Sequence, residues 1–141
     1  MATKADFTQD EWTSLHKGVT GAAMLVSLAD RDFSDSFGEA SAMAKYLTSQ
    51  STIGATELVR QVAAIHSTGF GIMDSPQKVQ AETTAALRAS ISTLTAKAPD
   101  EVEPYRRLVL GAAEAVAEAK GGVKPAETSA IAMITEALGA G

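Results

Sequence analysis

The 141-residue chain contains no cysteine. Disulfides, thiolate zinc sites and a cysteine nucleophile are thereby excluded, and a bound metal would have to be held by oxygen or by histidine. Histidine is itself scarce. His16 and His66 stand far apart, without the His-Glu-x-x-His or Glu-x-x-His spacing by which a helix holds a metal, and each reads as a partly buried surface residue. Aromatic residues make up 5% of the chain and prolines number four. No stretch reaches the roughly 18 uninterrupted apolar residues of a membrane span. The start, Met1-Ala2-Thr3-Lys4-Ala5-Asp6, lacks the apolar centre of a signal peptide, so a cytoplasmic protein without membrane insertion is expected. Basic residues are outnumbered, 12 against 17 acidic, for a net charge of −5. No run of Lys or Arg offsets that field, so nucleic acid is not an expected partner.

What is present is helix-forming sequence. Hydrophobic residues make up 45% and charged residues 21%, the balance of an ordinary folded domain. Alanine is abundant, and the apolar positions repeat at helical and not at strand spacing. Thr8 and Glu11 have capping-box spacing, flanked by Phe7 and Trp12 as a hydrophobic staple, which predicts a helix to about Asp30. Its second half, Gly21 to Ala29, is apolar on all sides, as a helix sheathed by others would be. Ser36-Phe37-Gly38-Glu39 again has capping-box form and opens a second helix to about Gln50. A third is expected over 55–67, and Gly69-Phe70-Gly71 reads as a break. Pro76, Pro99 and Pro125 each stand at a first helical position. They open helices to about Lys97, to Gly121-Gly122, and to a stop at Gly139. Tyr105, Val109, Ala112, Val116 and Ala119 form the expected buried stripe of the fifth helix, and Ile131, Ile134 and Leu138 that of the last. The expected organisation is a short tail over 1–7 and one all-α domain over 8–141, a bundle of about six or seven helices.

An internal repeat organises that bundle. Glu39-Ala40-Ser41-Ala42-Met43-Ala44 matches Glu127-Thr128-Ser129-Ala130-Ile131-Ala132 at four of six positions, and each copy follows an Ala-rich helix and a short loop. Two pseudo-symmetric helix–loop–helix halves packed face to face are expected. The pattern resembles the TerB-like family, the helical domains associated with tellurite resistance. The likeness is carried by Leu28-Ala29-Asp30 through Glu39 in the first half. In the second it is carried by Ala113-Glu114-Ala115-Val116-Ala117-Glu118-Ala119, Pro125-Ala126-Glu127 and Leu138-Gly139. Each copy departs from the family's Asp-Gly signature: Arg31 follows Asp30 where glycine would stand, and Lys120 precedes Gly121 where the acid would stand. The resemblance implies an all-α fold in two related halves, with an acidic surface cluster engaging a cation or a partner, in a stress-associated setting.

The acids themselves are Asp30, Asp32, Asp35 and Glu39 around the first loop, with Glu114 and Glu118 one turn apart on the fifth helix. Asp30 at a helix C-terminus meets an unfavourable macrodipole, and Glu114 and Glu118 repel each other unless a cation relieves them. Oxygen-rich clusters of this kind suit Ca²⁺ or Mg²⁺, although the spacing is not that of an EF-hand. The same residues also read as helix caps and solvated charge, with Glu39 completing a capping box. No nucleophile, pocket motif or paired histidine points to a reaction, so no enzyme is expected. Two functions follow. One is a binding module that takes a divalent cation or a basic partner on the acidic surface. The other is a structural or interaction protein that forms a homodimer through an apolar patch around Ile53, Leu58, Ile65, Phe70 and Ile72, with no metal site. Arg106-Arg107 could grip an anion, but two adjacent arginines point in different directions on a helix, and ion pairing with Glu103 or the local acids is expected.

Overall fold

The first helix begins as its sequence directs. The Thr8 backbone N–H donates to Glu11 Oε1 at 2.8 Å and the Glu11 N–H donates to Thr8 Oγ1 at 3.1 Å, the reciprocal arrangement that satisfies two otherwise orphaned donors. Phe7 and Trp12 close over it with ring centroids 6.5 Å apart. From this cap α1 runs Gln9–Ala29. The computed structural model describes residues 4–29, 36–54, 56–64, 76–119 and 125–139. Among them are five further α-helices and no strand: α2 (Ser36–Ile53), α3 (Glu57–Ala63), α4 (Pro76–Lys97), α5 (Val102–Ala119) and α6 (Pro125–Ala137). The chain is an all-α bundle.

Most boundaries have a local cause. Pro76 and Pro125 are first residues of their helices, where the missing N–H would have had no partner. Pro99 opens a short 3-10 turn, Pro99–Glu101, instead of the α-helix itself, and α5 follows at Val102. Thr56 caps α3 by accepting from the Val59 N–H at 3.2 Å, so that helix starts later than the sequence suggests. α2 runs past Gln50, and the Gly54 N–H donates to the Gln50 carbonyl at 2.9 Å to finish it. At the other end of the chain, Gly139 takes a positive φ of 73°, the left-handed stop that glycine adopts without strain.

The core forms around α1. Leu15, Val19, Ala22, Ala23 and Val26 are buried, and α1 packs chiefly on α4, α5 and α6. Its contact with α4 is a close one that glycine permits. A Cβ at Gly21 would run into the Thr83 hydroxyl, and one at Gly18 would lie 2.9 Å from Leu87 Cδ2. Toward α5, the fully buried Tyr105 donates its phenol to the Leu15 carbonyl at 2.7 Å. Burial pushes that phenol well above its ordinary value, against a smaller opposing effect of Ser90. Val109, Ala112 and Val116 continue the Tyr105 stripe inward, and Ile134 and Leu138 do so on α6. His16 is buried at 6% exposure, deeper than the surface position expected of it, because it lies on the sheathed face of α1. Phe7 also belongs to this core.

α2 packs on α5, α6 packs on α1, and α1 lies against α5.

Candidate functional site

Two contacts fix how α2 lies on α5. Near the middle of α2, Tyr46 reaches the Arg107 carbonyl at 3.4 Å and covers Gly111, where a Cβ would collide with the phenol. Beyond the end of α2, Thr56 donates to Glu101, just before α5, at 2.6 Å. Later residues on the α2 side thus meet earlier residues on the α5 side, and the two helices are antiparallel. Stepping back from Tyr46 to Glu39 covers about two turns, roughly 10 Å of helix. The same distance forward from Gly111 reaches Glu118. The first turn of α2, which carries Glu39, therefore lies at the end of the pair where α5 carries Glu114 and Glu118.

Glu114 and Glu118 are both exposed. Neither has an ion-pair partner among the described residues, and the last turn of α5 holds no basic residue. Like charges one turn apart cost a few tenths of a kcal/mol, and the helix C-terminus adds to that for Glu118. The electrostatic effect reaches the helix seam. The half-buried Tyr46 phenol is raised above its ordinary value, first by burial and then by the negative charge of Glu114. Glu39 has its backbone in α2, while its side chain lies outside what is described. Asp30, Asp32 and Asp35 lie outside the described residues altogether, as do His66 and Gly69-Phe70-Gly71. Among the described residues no group of three or more His, Asp or Glu could hold a metal. Glu114 and Glu118 offer two carboxylates where a calcium ion takes about six to eight oxygens.

The apolar patch is corrected in part. Leu58 is 1% exposed because α3 turns it inward together with Val59 and Val62, so it cannot belong to a surface. Ile53 is 71% exposed and is the one large exposed hydrophobic residue among those described. Ile65, Phe70 and Ile72 lie outside them. Arg106 does pair with Glu103, and it also donates to the carbonyls of Leu138 and Gly139 at 3.1 and 2.6 Å, which fastens the end of α6. No described helix is long and apolar enough to cross a membrane.

Two features of possible chemical use went unsignalled by the sequence. Tyr46 sits in a helix without any motif, and the buried carboxylate of Glu101 reads locally as an ordinary acidic first turn. No family model, curated protein or solved structure matches the chain.

Proposed function

We propose that this chain is a non-enzymatic binding module of TerB-like type, engaging a divalent cation such as Ca²⁺ or Mg²⁺, or a basic partner, through an acidic surface shared by its two halves. The observation that carries the reading is the antiparallel register of α2 on α5. It brings the turn bearing Glu39 to the end of α5 that bears Glu114 and Glu118, which have no ion-pair partner among the described residues. The loop acids Asp30, Asp32 and Asp35 precede that same turn of α2 in sequence and complete the proposed ligand set. A cation bound there relieves the i,i+4 repulsion and the unfavourable macrodipole together.

A ligand that binds only the folded state raises its melting temperature. Thermal melts with Ca²⁺, Mg²⁺, Mn²⁺ and Zn²⁺ are therefore the test, on the wild type, on Asp30→Asn/Glu39→Gln and on Glu114→Gln/Glu118→Gln. The reading expects a rise of several degrees at millimolar metal that both double variants lose. A rise lost only in the first pair confines the site to the loop. If no metal moves the wild-type melt and a polylysine probe binds no more tightly at low salt than at high, the acidic surface has no such role.

A further inference from the structure

A second site stands at the junction of α4 and α5, away from the acidic end. A cleft of about 600 Å³ opens there between the N-terminal segment and the turn that links the two helices. Its walls are Asp6, Phe7, Lys97, Ala98, Pro99, Asp100 and Glu101. The apolar part is the Phe7 ring with Ala98 and Pro99. The polar part is Asp6, Lys97 and Asp100, which are exposed, and Glu101, which is buried at 6% exposure.

The state of that carboxylate decides what the cleft can take. Glu101 Oε2 accepts one hydrogen bond, from the Thr56 hydroxyl at 2.6 Å. That bond uses the hydroxyl's single proton, while a lone pair of the same oxygen accepts from the Val59 N–H. Glu101 Oε1 has no donor, and no Lys, Arg or His forms an ion pair with Glu101, among the described residues. The N-terminus of α5 contributes only a partial positive charge. Lys97, the one cation in the lining among the described residues, is already engaged. Its ammonium donates to Glu11 Oε1 at 2.6 Å and to the Asp6 carbonyl at 3.4 Å, and it lies 5.8 Å over the Phe7 ring. Glu101 Oε1 is not one of the buried atoms that lack a partner, so it opens to the cleft, where a carboxylate oxygen beside one neutral donor can accept from a cation. A hard divalent ion would need several more oxygens than this lining supplies.

We infer that the cleft binds an organic ammonium ion, its charged nitrogen donating to Glu101 Oε1 and its compact apolar body resting on Phe7, Ala98 and Pro99. Trp12 provides the readout, because it is the single tryptophan of the chain and its ring packs on Phe7. Its emission is followed during titration with cyclohexylmethylamine and with cyclohexylmethanol, which share a shape and differ in charge. A saturable change is expected with the amine, weakened by about tenfold or more for the alcohol and, in Glu101→Gln, for the amine. The amine–alcohol comparison needs only the wild-type protein, so it decides the matter even if the variant folds poorly. Equal affinities for amine and alcohol, or no saturable change with the amine up to its solubility limit, overturn the site. Full amine binding in a folded Glu101→Gln does so as well.

Discussion

At the scale of single residues, Gly21 and Thr83 approach closely in the core. The Thr83 hydroxyl is buried with no hydrogen-bond partner among the described residues, and it occupies the space a Gly21 side chain would need. Gly21→Ala is expected to destabilise by about 1–3 kcal/mol, because α1 and α4 must separate to admit the methyl. Thr83→Val removes a desolvated hydroxyl without changing shape much, so it is expected to be neutral or stabilising by about 1 kcal/mol. Urea unfolding of both variants checks the pair, and a strongly destabilised Thr83→Val would mean that the hydroxyl does have a partner. Glu11 governs the acid side. The Lys97 ammonium and then the Thr8 backbone N–H hold its carboxyl below the ordinary 4.5. Because the folded value is depressed, its contribution is present above 4.5 and is lost as the pH falls through the lower folded value. Melting temperatures of wild type and Glu11→Gln are thus expected to differ above that range and to converge below it. The capping box was legible because four consecutive residues, Thr8 to Glu11, contain all of it. Tyr46 and Glu101 were not, since burial and partners far along the chain give them their character.

At the scale of elements, α6 depends on α5 for its ending. Arg106 grips the carbonyls of Leu138 and Gly139, which the helix leaves without intrahelical donors. Arg106→Ala is expected to cost about 1–3 kcal/mol and to raise hydrogen exchange in the last turn of α6 before it does so in α1. Equal acceleration in both helices would assign Arg106 a global role instead of a local clamp. Helix number and most starts were readable because proline and side-chain caps act within a few residues. The misjudged details trace to tertiary causes. Pro99 starts a 3-10 turn whose following residue, Val102, begins the α-helix, and α3 starts where Thr56 can both cap it and reach Glu101. Leu58 looked like part of a surface patch because a short helix does not declare which face it will bury.

At the scale of the whole molecule, the repeat led to an expectation of two related halves. That α2 packs on α5 and α6 on α1 could be seen only once the helices were packed. The register of α2 on α5 is the link on which the acidic end depends, and the two tyrosines of the chain can test it. Tyr105 is fully buried and Tyr46 is half-buried, and both phenols are raised above the ordinary 10.0. A raised folded value makes the contribution complete below pH 10.0, with stability lost as the pH rises beyond it. Tyr46 is expected to ionise first, in the folded protein, and Tyr105 only together with alkaline unfolding. Tyrosinate absorbance and circular dichroism, followed in one titration, separate the two steps. Burial is the larger cause of the shift at Tyr46 and the charge of Glu114 the smaller. Glu114→Gln should therefore lower the first midpoint while leaving it above 10.0, and saturating Ca²⁺ should do the same to the wild type if the cation sits against Glu114. A first midpoint unmoved by Glu114→Gln would show that Tyr46 does not sense that carboxylate. The antiparallel register that brings the first turn of α2 to the Glu118 end of α5 would then lose its support at the point nearest the proposed site.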